Sequence, residues 1–276
     1  MADKKNLLIF SNCHGNHYKT IFEKHTNIPV LYTIQYIISY ENLHNFNNIR
    51  HQFENADVLI INPIENYSDY TFDNLKKYLK PECIIIRLPY VRFSGFWLEE
   101  KYLTLQKFKT DTVIDFPDVS LSGIDAYIKN FQLDKEVFET HFAKCILKIK
   151  VIESNADIPF VDFFIENYKK YPLFRDEHHP TMCLLNHIAD KLIAKMNDIQ
   201  PIDSNFIPNF IVTKERGHFK PIPDAIKNIS GLEYDLDSFY VVTRHDFIKK
   251  ILEYDSNAIN SNITNYDEFY SKVFNM

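Results

Sequence analysis

Four short apolar runs, separated by stretches of helix length, constrain this chain more than any other feature. Lys5–Asn12, Val30–Tyr36, Val58–Asn62 and Cys83–Leu88 read as strands. Gly15–Lys24, Glu41–Asn55 and Phe72–Leu79 read as the helices between them, with Pro81 breaking the last before the fourth run. Runs so short and so continuously apolar are buried on both faces, the signature of parallel strands covered by helices. Val113–Phe116 is one more candidate strand. The expectation is an α/β fold with a mostly parallel central sheet.

Beyond Ser120 the pattern becomes mostly helical up to Lys170. A further helix places Leu185, Ile188, Leu192 and Met196 on one face, and Pro180 suits its first position, which makes His179 the expected N-cap. Four prolines between Pro201 and Pro223 interrupt the periodicity, and the remainder holds one plausible strand, Ser238–Thr243, and two short helices. The chain of 276 residues therefore divides into a main α/β domain, 1–200, and a C-terminal appendage, 201–276, packed on it.

Composition excludes several function classes. The five glycines, at 15, 95, 123, 217 and 231, form no GxGxxG, no GxxxxGK and no GxSxG. The usual dinucleotide, nucleoside-triphosphate and α/β-hydrolase signatures are absent. With 31 basic and 37 acidic side chains the net charge is −6, which argues against nucleic acid or anionic lipid as a bulk electrostatic partner. The four cysteines, 13, 83, 145 and 183, include no CxxC pair, and Cys83 and Cys145 sit in apolar runs as buried thiols. Leu7–Phe10 is too short for a signal-peptide core, and no run nears the roughly 18 apolar residues that span a bilayer. The expected location is the cytoplasm, with reduced thiols.

Chemistry concentrates in two segments. In Ser11-Asn12-Cys13-His14-Gly15-Asn16 a cysteine lies between the end of the first strand and the start of a helix. Unpaired backbone N–H groups and the positive helix end favour a thiolate there and can also hold an oxyanion. Gly15 is expected to permit a tight turn. In Asp176-Glu177-His178-His179-Pro180 a carboxylate three residues before an imidazole can orient it, and a helix N-terminus would keep the ring neutral. A nucleophile Cys13, a base His179 and an orienting Asp176 make a workable acyl-transfer set. His14 and His178 adjoin the motif residues and can stand in for them. A metal site from His14, His17, His178 and His179 is a competing reading, but no HExxH or carboxylate-rich spacing supports it, so no metal is expected.

A nucleophile after the first strand with a late DxxHP resembles the SGNH hydrolase superfamily, which implies a three-layer α/β/α sandwich. Asn12-Cys13-His14-Gly15 in place of that superfamily's GDS motif resembles the WcbI-type polysaccharide-biosynthesis acetyltransferases, over roughly residues 5–200. That resemblance implies acetyl-CoA as co-substrate, coenzyme A as product, and a capsular or related surface saccharide as acceptor. It leaves room for peripheral association with a polysaccharide assembly complex. No glycine lies between 15 and 95 to match the superfamily's second block, and its GxND block is reduced to Asn62. The oxyanion and substrate-positioning residues are then Asn12, His14, Gly15 and Asn62, with the Cys13 amide. Coenzyme A brings phosphates, which call for cations near a strand's carboxyl end. Arg87 and Arg92 are the candidates there, with Tyr90 or Trp97 to cover adenine or sugar.

A cysteine also fits a thioester donor, because thioester exchange is nearly isoergic and transfer to a hydroxyl then runs downhill. The leading expectation is a CoA-dependent O-acetyltransferase. The alternatives are an esterase or thioesterase on the same residues, with water as acceptor, and a catalytically silent carbohydrate-binding protein.

Overall fold

The computed structural model describes residues 4–64, 67–97, 133–196, 222 and 224–234. Two compact units arise from the chain: Met1–Tyr90 with Ile149–Phe164 and Met182–Ile211, and Val91–Lys148 with Ile165–Thr181 and Val212–Met276.

The first unit carries the sheet. Strands β1 (Lys5–Ser11), β2 (Tyr32–Ile38), β3 (Val58–Ile61) and β4 (Ile84–Arg87) lie in the order β2-β1-β3-β4. Every pairing is parallel, with Ile9 opposite Tyr36 and Ile60, and Ile60 opposite Ile86. The connecting helices are α1 (His14–His25), a single turn α2 (Ile28–Leu31), α3 (Phe46–Asn55) and a single turn α4 (Phe72–Leu75). From β1 the chain steps outward to β2, then back across β1 to β3. Right-handed crossovers in opposite directions place α1 and α3 on opposite faces of the sheet.

Burial follows this layering. Leu8, Phe10, Leu59 and Ile61 pack with Phe46, Ile49 and Phe53 of α3, and with Tyr70 and Leu75. The alternate residues Leu7, Ile9, Val58 and Ile60 are equally inaccessible, so the central strands are covered on both sides. This is the expected α/β architecture, with a sheet that is parallel throughout the described residues. On α1, Tyr18, Ile21 and Phe22 form the buried stripe, and α1 packs against α7 (Met182–Lys195). Helix α7 buries Leu185, Ile188 and Leu192 as the periodicity requires, and Met196, just past its end, is buried as well.

Several boundaries differ from the sequence reading: the helix expected over 72–79 is the single turn α4 followed by a 3-10 turn, Lys76–Tyr78. The run starting at Val30 begins as a helical turn, because Pro29 fills a first-turn position of α2, and the strand starts at Tyr32. The helix expected over 41–55 breaks into a 3-10 turn, Tyr40–Asn42, and α3.

The second unit holds the body of α5 (Lys135–Glu153) and an aromatic core. Phe93, Phe96, Phe138, Phe142, Tyr168 and Phe174 meet ring to ring at centroid separations of 5.1–6.1 Å. Helices α6 (Val161–Asn167) and α8 (Asp224–Ser230) complete the described α-helices. The candidate strands Val113–Phe116 and Ser238–Thr243 lie outside the described residues, as does most of 201–276. Among the described residues no helix is long and apolar enough to cross a membrane.

Candidate functional site

The sheet order reverses between β1 and β3, and open parallel sheets bind ligands outside the carboxyl ends of their strands at such a switch point. Asn12 and Cys13 follow β1 directly; Asn62 follows β3. Ser11, fully buried, joins the two strand ends by donating its hydroxyl to Asn62 Oδ1. Asn62 in turn donates Nδ2 to the carbonyls of Pro89 (2.8 Å) and Leu88 (3.4 Å), beyond β4. Its side chain therefore fastens three strand ends together, a positioning role.

Cys13 is exposed at the N-cap of α1. The loop beneath it is held at several points. The His14 amide donates to Asn12 Oδ1 at 3.1 Å, the Gly15 amide donates to Asn12 O at 3.0 Å, and the Tyr36 hydroxyl donates to the same Asn12 carbonyl at 2.8 Å. Burial above all, and then the charge of an ionised Cys13, hold the Tyr36 phenol well above its ordinary value, so it stays a donor. The same two causes raise Tyr40, itself half exposed. Tyr36 comes from β2 and was not among the residues the sequence singled out. Nothing local marks it; only the pairing of β2 beside β1 brings it there.

Gly15 is helical and has no positive φ, so its need is space rather than a turn. A Cβ at this position would lie 2.5 Å from Tyr36 Cε2 and 3.0 Å from Ser11 Cβ. His14 is buried in the first turn of α1. One turn on, His17 Nε2 meets Asn186 Oδ1 at 2.9 Å, tying α1 to α7. Burial, chiefly, lowers the His17 pKa, favouring a neutral ring.

In the second unit Asp176 and His179 come together. The chain folds back on itself here: Phe174 bridges Pro180, Arg175 N donates to His179 O at 2.8 Å, and Thr181 N donates to Leu173 O at 2.9 Å. Asp176 Oδ1 accepts the backbone N–H groups of His178 (2.8 Å) and His179 (2.9 Å), closing the turn. The carboxylate also meets His179 Nδ1 at 2.8 and 2.9 Å. An ionised carboxylate requires the proton on Nδ1, which leaves Nε2 as the basic nitrogen. Burial works against ionisation of Asp176, but the His179 hydrogen bond and charge, the His178 amide and Arg175 outweigh it and lower its pKa. His178 is exposed.

The expectation that His179 caps a helix is corrected. Helix α7 starts only at Met182, because the 174–180 bridge takes Pro180 into an extended hairpin. Asp176, rather than a helix N-terminus, lies against the ring.

The candidate cofactor residues differ in their surroundings. The Arg87 fork is occupied by Asp157, with Nε–Oδ2 and Nη2–Oδ1 both 3.3 Å, and its backbone N–H donates to Oδ2 at 2.7 Å. Arg92 is exposed, and Tyr90 keeps 47% of its surface accessible. These two are the side chains of the group still open to a phosphate or a flat ring. Trp97 retains only 2% and lies edge-on to Phe96 in the aromatic core, so it supports packing. Among the described residues no cluster of three or more His, Cys, Asp or Glu side chains could hold a metal ion.

The fold and these groups define an open-sheet α/β protein with an exposed cysteine at its topological switch point and a separate Asp–His pair. Residues 6–198 match the model of the polysaccharide biosynthesis enzyme WcbI family, a span that includes Cys13, Asp176 and His179. The chain belongs to that family. No curated protein matches it. A solved structure of WcbI, described as a novel polysaccharide biosynthesis enzyme, is similar with a TM-score of 0.55 at 15% identity, over 98% of this chain and 95% of that one. It is the native form of that protein without a disulfide bond between coenzyme A and one of its cysteines.

Proposed function

We propose that this polysaccharide biosynthesis enzyme is an O-acetyltransferase that moves an acetyl group from acetyl-CoA to a hydroxyl of a capsular or other surface saccharide, acting in the cytoplasm. The observation that carries the reading is Cys13, exposed at the N-terminus of α1 and the switch point of the sheet, in a chain of the WcbI family. That the solved WcbI form is characterised by a coenzyme A–cysteine disulfide it lacks supports coenzyme A as the thiol partner.

In this reading His179 Nε2 takes the proton of the Cys13 thiol, and the thiolate attacks the acetyl carbonyl. The C–S bond to coenzyme A breaks as a new C–S bond forms on Cys13, and the departing thiolate takes the proton back from His179. The acceptor hydroxyl then attacks the Cys13 thioester while Nε2 removes its proton, and the oxygen ester leaves with the Cys13 thiolate restored. Asp176 holds the ring in the tautomer both steps need and stabilises the imidazolium between them. The oxyanion donor in this reading is the Cys13 amide, since the His14 and Gly15 amides already donate to Asn12.

The test is release of coenzyme A thiol from acetyl-CoA, with and without a saccharide acceptor, for wild type, Cys13→Ala and His179→Ala. Acceptor-dependent release lost in both variants supports the transferase. Release that proceeds equally without acceptor supports the thioesterase instead.

A further inference from the structure

Arg175 stands out among the described arginines. It is half-buried between Phe174 and Asp176, whose exposures are 3% and 5%. Its Nε has no accessible surface and no hydrogen-bond partner among the described residues. Arg87 has Asp157 and Arg50 has Glu54, while Arg92 stands in solvent, where water satisfies it. Arg175 makes no close ion pair among the described residues, and its Nε is shielded from water. Its neighbour Asp176 makes no hydrogen bond to it; that carboxylate accepts instead from two backbone amides and from His179 Nδ1. The Arg175 charge still reaches Asp176 and helps keep it ionised.

A buried donor left without an acceptor is costly, and a guanidinium presents a planar fork suited to a carboxylate or phosphate. The backbone bond from Arg175 N to His179 O fixes this fork in the same hairpin as the proposed base. We infer that Arg175 is an anion-binding residue beside the Asp176–His179 pair, taking a phosphate or carboxylate group of a substrate. The two sources are a phosphate of coenzyme A and the acid group of a charged sugar. The inference rests on the acyl-transfer reading for the anion's role in the reaction, not for its binding.

The experiment is calorimetric titration of the whole chain, as wild type, Arg175→Gln and Arg175→Lys. The probes are coenzyme A against pantetheine, which lacks the nucleotide phosphates, and glucuronate against glucose. Pyrophosphate serves as a bare anion, followed by its effect on thermal stability. The expected result is a loss of about ten- to hundredfold in affinity for one charged probe in Arg175→Gln, with its neutral counterpart unaffected. Arg175→Lys recovers part of the loss. A loss confined to coenzyme A assigns the donor phosphate; one confined to glucuronate assigns an acidic acceptor. Equal binding of every anion by wild type and Arg175→Gln overturns the inference, as does no anion binding by wild type. If Arg175→Gln does not fold, Arg175→Lys decides, since it keeps the charge but not the fork. Wild type that binds pyrophosphate or glucuronate but not coenzyme A refutes the donor assignment while leaving Arg175 standing.

Discussion

Gly15→Ala is the perturbation whose cost the structure sets most directly. The added Cβ would come within 2.5 Å of Tyr36 Cε2 and 3.0 Å of both Tyr36 Cδ2 and Ser11 Cβ. None of these is the loose end of a flexible side chain. The ring is rigid, and its hydroxyl is anchored on Asn12 O. Relief by moving the ring breaks that bond, worth about 1 kcal/mol. Relief by moving α1 is overpacking, which costs about 1–3 kcal/mol. Alanine returns up to about 1 kcal/mol of helix propensity. The net expectation is a destabilisation of about 1–3 kcal/mol, each kcal/mol lowering Tm by roughly 2–4 °C in a protein of this size. Circular dichroism melts of wild type, Gly15→Ala, Tyr36→Ala and the double variant read it. If the ring is the obstacle, the double variant loses less than the two singles added. A Gly15→Ala protein as stable as wild type, or strictly additive losses, would refute the packing argument.

Asp176→Asn is expected to lower the urea midpoint at neutral pH, with a gap from wild type that closes with acid. A carboxylate whose folded pKa is depressed stabilises above its unfolded value near ~3.9 and loses that contribution as pH falls through the folded value. A gap that does not change with pH would remove the ion pair from the explanation. Iodoacetamide near neutral pH should modify the exposed Cys13 before Cys83, whose thiol burial pushes up to about 11, and before buried Cys183; peptide mapping showing Cys83 first would contradict this. Combining Cys13→Ala with His179→Ala should reduce transfer no further than the worse single change. Losses that multiply would show that the two side chains serve separate steps.

The sheet was legible in the sequence because its strands are buried on both faces, and runs such as Leu7–Phe10 and Val58–Ile61 have no other plausible use. The helical turn ahead of β2 was not, since apolar Val30 and Leu31 suit a strand equally well and only Pro29 hints otherwise. Cys13 and the Asp176–His179 pair could be singled out as candidates because each motif is local: a cysteine between strand and helix, a carboxylate one turn from an imidazole. The hairpin that holds Asp176 and His179 escaped notice because the Phe174–Pro180 bridge has no periodic signature. What the sequence withheld was long-range pairing. Arg87 looked available for phosphate, yet Asp157, 70 positions later, takes its fork. Trp97 looked like a stacking platform until the aromatic residues of α5 and the 168–174 segment closed around its neighbours. Tyr36 and Ser11 gain their roles from strand register alone, and Asn62 becomes a fastener only because β3 lies between β1 and β4.

The measurement that tests the central claim most directly is the mass of the protein after brief mixing with acetyl-CoA in the absence of acceptor, followed by peptide mapping. The expected result is one added acetyl group, located on Cys13, absent in Cys13→Ala and discharged when a saccharide acceptor is supplied. Transfer to acceptor that continues undiminished in Cys13→Ala would contradict the account.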